Sequence, residues 1–388
     1  TMKVFKTVLV IGLCAMISNI NAGSSYSNVV DLYGHKLNIT YDQQLSHLSF
    51  YKYDQREITN KLSFFRNANL KTSIYNLKNH IDHYKLDDAA SVILIDKFAS
   101  RLTSSRNNNQ QTFIKYLLLK ELNYDVILTK TDKKLNCLGN LSFKPGRYIF
   151  INYAGKSYKD LDFKNRKNQG KHLIYMDSKT TTKRIDRDRF NVPRIDANMA
   201  VKEVAFSFGV EKHEIRAESN SSLMEFLGDL PMFDVGRQIT ALHMSRAMEK
   251  SVVSYIKGQV TDRKLVDQVR FILAFVQQVA PYGSDYDKYD EERFYYPEET
   301  IMAKTADCED KAMLMAYLTK EILGLNSVGL LFERDEHLSI GIEIPGYAPI
   351  GSFKYKGKTY VSCEPTSKYP RLTQSQFDLR RVDDVIPF

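Results

Sequence analysis

The chain has 388 residues, 43% of them hydrophobic and 26% charged, with a formal net charge of +9 at pH 7. This usage excludes a collagen-like, coiled-coil or wholly disordered chain, and a mean hydropathy of −0.37 excludes a multi-span membrane protein. Four Cys without a CxxC spacing exclude a disulfide scaffold and a zinc ribbon.

The first element read from the sequence is an export signal. Lys3 and Lys6 precede an apolar run over residues 7–17, followed by Asn-Ile-Asn-Ala. A charged start, a short apolar core and a small residue at the cut define a secretory signal peptide over residues 1–22, with Ile20 and Ala22 at −3 and −1. The run is too short to span a bilayer core of about 30 Å. Leu13 is bulky where a lipoprotein cysteine at Cys14 would need a small residue. The expected location is periplasmic or secreted. The mature chain then keeps Cys137, Cys308 and Cys363, an odd set with at least one unpaired thiol. The basic residues are spread over the length and are densest at 164–194, where acids interrupt them. That reads as a solvated surface, and no nucleic-acid partner is expected.

Residues 24–60 read as short strands: VVDLYGHKLNITYD carries a turn between half-alternating runs, and LSHLSFYKYD keeps the same period. From 62 to 122 the pattern is helical, with Ala90, Ile93, Leu94, Phe98 and Leu102 on one face of one helix and 112–122 forming another. Strands follow at YDVILT, NCLGNLSF and YIFINY, and 163–195 reads as loop. Residues 196–255 mix strands (AVKEVAFSFG, HEIRAES) with a helix over 236–257, and 263–280 is helical again. After Asp307-Cys308-Glu309-Asp310, the residues Ala312, Met315, Ala316, Leu318, Ile322 and Leu323 mark a helical stripe, and Gly324 marks its stop. SVGLLF, LSIGIEI with His337 at its head, and KTYVSCE ending in Glu364 are the last strands.

This order places a thiol, an imidazole and a carboxylate on three separate elements. Cys308 sits at a helix start, where unpaired N–H groups and the helix dipole favour a thiolate and can bind an oxyanion. A nucleophilic Cys needs a base, and the base needs an orienting acid. His337 and Glu364 can supply both if their strands are neighbours beside the helix. A lone Cys is otherwise a small buried apolar residue, and a lone His an ordinary hydrogen-bonded one. Cys363 is a rival partner for Cys308, but strand alternation points Cys363 and Glu364 to opposite faces. The scattered His residues lack ligand spacing, so neither metal nor cofactor is expected.

The string Tyr282-x-x-Asp285, Pro297-Glu-Glu-Thr300, Asp307-Cys308-Glu-Asp310, His337 and Tyr360-Val-Ser-Cys-Glu364-Pro-Thr366 resembles the bacterial transglutaminase-like superfamily, over about residues 263–370. It is most similar to exported members of the Bacteroidetes type. The resemblance implies an α+β, papain-like fold in which a Cys-bearing helix packs on an antiparallel sheet. It implies a triad whose positions match Cys308, His337 and Glu364, with Tyr282 and Asp307 near the substrate or oxyanion. Two departures are Glu364 where Asp is usual, and Thr305-Ala306 where Gly commonly precedes Asp-Cys.

An internal repeat extends the argument. Gly155-Lys-Ser-Tyr158 and Asp162 echo Gly357-Lys-Thr-Tyr360 and Glu364 at a constant offset of 202. Lys115-Tyr-Leu-Leu-Leu-Lys-Glu121 echoes Ala316-Tyr-Leu-Thr-Lys-Glu321, and the stretch from Lys134 to Gly139 echoes His337 to Gly341. Residues 85–165 are therefore expected to be a degenerate copy, with the Cys position near Asn107–Asn109 and the His position on Lys134. The expected division is 1–22 signal peptide, 23–84 N-terminal strands and helix, 85–165 degenerate repeat, 166–255 β-rich connecting segment and 256–388 transglutaminase-like domain. The expected function is cysteine-dependent hydrolysis or acyl transfer at peptide or isopeptide amides, on a peptide or peptidoglycan-type substrate. The alternative is a non-catalytic peptide- or cell-wall-binding module.

Overall fold

The computed structural model describes residues 25–103, 108–132, 134–143, 150–163, 171–175, 179–186, 193–231, 244–284, 293–368, 371–373 and 378–388. The signal-peptide expectation and Asp285 lie outside them. The chain is mixed α+β with antiparallel sheets. Among the described residues no helix is long and apolar enough to cross a membrane.

The chain opens on a hairpin, β1 (Ser25–Leu32) and β2 (His35–Asp42). Its inward positions Leu37, Ile39 and Tyr41 alternate with polar ones, as a sheet with one wet face requires. The expected strand after it is absent: a 3₁₀ turn, Gln43–Leu45, follows at once, and Leu48 and Phe50 reach the core from irregular chain. Four helices come next: α1 (Gln55–Arg66), α2 (Lys71–Tyr84), α3 (Asp88–Leu102) and α4 (Asn108–Glu121). Asp54 and Asp87 cap α1 and α3 by accepting from Glu57 N and Ala90 N.

A five-stranded sheet follows, ordered β5-β6-β4-β3-β7 from β3 (Val126–Thr131), β4 (Lys134–Asn140), β5 (Phe150–Tyr153), β6 (Lys156–Asp160) and β7 (Leu173–Tyr175). The edge strand β7 falls in the stretch expected to be loop. Three residues, only one of them buried, carry too little alternation to be seen in sequence.

The long hairpin β8 (Met199–Phe208) and β9 (Glu211–Asn220) leads into α5 (Ser221–Asp229). Residues 166–255 are divided between two cores. Leu223, Phe226 and Leu227 of α5 join the N-terminal core with Ile185 and Ile195. Val204, Phe206, Ile215 and Ala217 of the hairpin join the C-terminal one. Helical turns at Arg246–Met248 and Glu249–Val253 run into α6 (Ser254–Val260), and α7 (Leu265–Val279) follows. Then come α8 (Pro297–Met302) and α9 (Cys308–Leu323), which stops at Gly324 with φ +68°, the left-handed conformation expected there.

The second sheet has β10 (Ser327–Phe332), β11 (His337–Ile342), β12 (Phe353–Tyr355), β13 (Lys358–Cys363) and β14 (Asp384–Pro387), ordered β12-β13-β11-β10-β14. Its strand order is that of the first sheet, and one helix packs on each, α4 on β3 and β4 and α9 on β10 and β11; each of these helices has a helical neighbour, α3 beside α4 and α7 beside α9.

The correspondence reaches single residues. Val126 pairs with Gly139, and Val328 with Gly341. Ile151 pairs with Tyr158, and Phe353 with Tyr360. Within hairpins the two sheets thus match at the offset seen in the sequence. Between hairpins they slip by one: Leu138 faces Asp160, whereas Ile340 faces Cys363. At both matched glycines a Cβ would collide with a packed side chain, Ile185 at 2.6 Å from Gly139 and Phe353 at 2.5 Å from Gly341.

Buried Glu298 and partly buried Lys202 fasten the β8–β9 hairpin to the C-terminal core. Glu298, 2% exposed, accepts from Ser219 Oγ (2.7 Å), Asn220 N (3.0 Å) and both Ser245 N (2.6 Å) and Ser245 Oγ (2.9 Å). Lys202 Nζ donates to the carbonyls of Val279 (3.0 Å), Ile301 (2.9 Å) and Ala303 (2.7 Å). Those carbonyls end α7 and α8 and have no partner inside their helices. A buried ion so surrounded is tolerated because its lone pairs or protons are met.

Candidate active site

The start of α9 is fixed by a capping box. Asp307 accepts from Asp310 N (3.1 Å), and Asp310 Oδ2 from Asp307 N (3.4 Å), while Asp310 Oδ1 takes Tyr295 N (2.7 Å). Cys308 is thereby held at the first helical position. The Asp307 carboxylate, expected near substrate, is engaged in the cap.

Tyr282 stands beside this segment by its main chain. It forms a parallel bridge to Ala306, flanked by Gly283 N to Ala306 O (3.2 Å) and Ala306 N to Pro281 O (3.0 Å). Its side chain is 59% exposed. A Cβ on Gly283 would come within 2.8 Å of Thr305. Gly283 therefore lets its segment pass close over the Thr305 side chain.

His337 and Glu364 meet. His337 Nε2 lies 2.9 Å from Glu364 Oε2, across 27 residues, with both side chains buried. β11 and β13 are sheet neighbours, which brings the head of one to the end of the other. The second Glu364 oxygen accepts from Thr366 N (3.1 Å) and Thr366 Oγ1 (2.6 Å). Ser339 Oγ donates to Cys363 O (2.7 Å), and Gln277 Nε2 donates to Glu364 O (2.9 Å), so the turn carrying the acid is pinned on both sides. The extra methylene of Glu relative to Asp is accommodated without loss of the bond.

Cys308 lies against the main chain on either side of His337. Its sulfur is 4.0 Å from Glu336 O and is approached by the Leu338 N–H. The thiol itself donates to Glu309 Oε2 (2.9 Å). Among the described contacts its hydrogen-bond partners are these, not the imidazole. The expected lowering of the thiol pKa is reversed: burial pushes Cys308 up, the Glu309 carboxylate adds to it, and the Leu338 N–H opposes only in part. Desolvation of a sulfur 2% exposed, with an anion beside it, outweighs the helix start.

The disulfide alternative is resolved. Cys137, Cys308 and Cys363 are all free thiols. Cys363 points into the core under α9, as alternation requires once Glu364 faces His337. Burial raises Cys363, and lifts Cys137 to about 12.

The equivalent place in the first unit is filled differently. His337 stands opposite Phe332, and the residue in that register is Leu135, opposite Lys130. The His counterpart is therefore Leu135, not Lys134; the strand pairing fixes it where aligning short strings of unequal length cannot. Asn109 occupies the helix start and accepts from Leu135 N (2.8 Å). Asp162 keeps the acid position, 3.7 Å from Lys134 Nζ. An amide near the helix start, a leucine in the His register and an acid paired with Lys134 thus stand where the other unit has a thiol, an imidazole and a carboxylate.

Among the described residues no group of three His, Cys, Asp or Glu is placed to hold a metal ion. The chain matches no family model, no curated protein and no solved structure.

Proposed function

We propose that the chain is a cysteine-dependent hydrolase or acyltransferase of peptide-type amides, built on a papain-like unit and exported to the periplasm or beyond. The observation that carries this reading is the buried His337–Glu364 bond placed beside a thiol at a helix start. Glu364 holds the ring through Nε2, which leaves Nδ1 as the nitrogen that works on the thiol. Cys308 attacks the amide carbonyl, its proton passes to His337, and Glu364 stabilises the imidazolium. The N–H groups at the start of α9, unpaired within the helix, receive the oxyanion. Collapse breaks the C–N bond, the amine leaves with the proton from His337, and a thioester remains. Water or a second amine then attacks the thioester and releases Cys308. The two sheets read as copies of one unit, of which the first has lost nucleophile and base.

The binding-module reading has its own support, in the bond from the thiol to Glu309 and the burial of the sulfur. On the catalytic reading this is a resting state, with the thiol protonated and thinly covered. Cys308 belongs to neither large apolar core, and Glu336 beside it is exposed, whereas Cys137 and Cys363 are core members. Iodoacetamide at neutral pH is therefore expected to label Cys308 before Cys137 and Cys363, read by peptide mass mapping. Equal labelling of the three thiols would remove the activated-thiol reading.

A further inference from the structure

A lysine from the β8–β9 hairpin, which precedes the expected 256–388 unit, reaches the chain just ahead of the nucleophile. Lys202 lies on β8, and its Nζ donates to three carbonyls: Val279 (3.0 Å), Ile301 (2.9 Å) and Ala303 (2.7 Å). An ammonium carries three protons, so these bonds use its full donor set. Val279 is the last residue of α7, Ile301 lies in the last turn of α8, and Ala303 is the C-cap of α8. Those are the ends at which helix carbonyls lack partners and the helix dipole favours a cation.

The two segments so joined lead to the thiol. Beyond Val279 the chain runs through Pro281 to Gly283, and beyond Ala303 it runs through Ala306 to Cys308. They pair on the way: Gly283 N donates to Ala306 O (3.2 Å), and Ala306 N to Pro281 O (3.0 Å). One residue later Asp307 caps α9 by accepting from Asp310 N (3.1 Å). The same hairpin holds the other end of α8, where Glu298 accepts from Ser219 Oγ (2.7 Å) and Asn220 N (3.0 Å) at the end of β9. The short helix that precedes the nucleophile is therefore fastened to the hairpin at both ends. The N-terminal half has a simpler tie: β1 packs on α3, and Asn28 Nδ2 donates to Arg101 O near the end of that helix (3.0 Å). That bond holds one carbonyl of one helix, whereas Lys202 draws two segments together.

We infer that Lys202 is a positioning residue for Cys308: it fixes the ends of α7 and α8, so that the two segments entering the nucleophile's helix lie side by side and set where the thiol stands. Among the described contacts Lys202 meets no part of Cys308, His337 or Glu364, so it acts through the main chain. The unit that bears the thiol is thus completed by a hairpin from outside it. The consequence for turnover rests on the catalytic reading; the hold on the segment rests on the geometry alone.

The test is amide hydrogen exchange of the full chain, read by mass spectrometry in peptides covering 279–284 and 303–311, beside turnover of a panel of peptide and muropeptide amides. In Lys202→Met, which keeps the stem and removes the charge and donors, exchange in those two segments is expected to rise about tenfold or more, with β10 and β11 near wild type. Lys202→Gln, whose amide has two N–H donors for three carbonyls, is expected to shift the same way, and it serves if the Met variant does not fold. Lys202→Arg keeps charge and donors and should restore slow exchange. On an amide that wild type turns over, kcat is expected to fall about 10–100-fold in Lys202→Met with KM near wild type, and to recover in Lys202→Arg. Exchange unmoved in both segments, or raised alike there and in β10 and β11, overturns the inference, and so does faster local exchange with unchanged kcat. No turnover by wild type, with the exchange pattern as expected, removes the catalytic reading and keeps the hold of Lys202 on the segment bearing Cys308.

Discussion

Replacing Cys308 by Ala is expected to reduce turnover of a panel of peptide and muropeptide amides by about 10⁴-fold or more, measured as released amine. Nucleophile and base act in one step, so His337→Ala should cost nearly as much, and the double variant little more than either alone. Glu364→Gln keeps the shape but exchanges an anion for an amide. The imidazolium then loses its partner and the ring its preferred tautomer, and the expected loss is about 10²–10⁴-fold. Binding of the same peptides should survive all three changes, because each removes reacting atoms and leaves the main chain around them in place. Equal turnover by wild type and Cys308→Ala would leave the binding-module reading standing.

The second prediction concerns the cover on the thiol. Glu309 Oε2 takes the Cys308 proton at 2.9 Å, and its charge opposes formation of a second anion beside it. Glu309→Gln removes that charge and leaves a side chain of nearly the same shape. The thiol pKa should fall, and at any pH below it the thiolate fraction rises tenfold for each unit of fall. About tenfold faster alkylation of Cys308 near pH 7 is expected. The sign separates two roles for the carboxylate: a base that activates the thiol would make the variant slower, whereas a cap that quiets it makes the variant faster.

Much of this architecture could be read before any coordinates. The Asp-Cys-Glu-Asp start carries its own cap, so the beginning of α9 follows from local chemistry. The head of β11 and the end of β13 follow from alternation, and their closeness from short antiparallel connections. The likeness of the two sheets was legible because their turns kept a Gly-Lys-x-Tyr signature. What escaped depends on tertiary register or on burial. The one-residue slip between hairpins leaves no mark in a pattern of short strings, and the His counterpart, Leu135 and not Lys134, is set by pairing inside the hairpin at the offset of 202. The edge strands β7, β12 and β14 have three or four residues each, too few to show a period. The raised thiol could not be foreseen from a helix start, because desolvation is set by what packs on the residue from elsewhere.

The central claim is that the sulfur of Cys308 gives its proton to His337. The pH dependence of Cys308 alkylation by iodoacetamide, in wild type and in His337→Ala, tests it most directly. The account predicts that alkylation of wild type begins at lower pH than that of the variant, because the imidazole takes the thiol proton, and that the variant keeps only a slow rise at alkaline pH. Superimposable profiles would show the thiol ionising without regard to the imidazole, and would contradict the account.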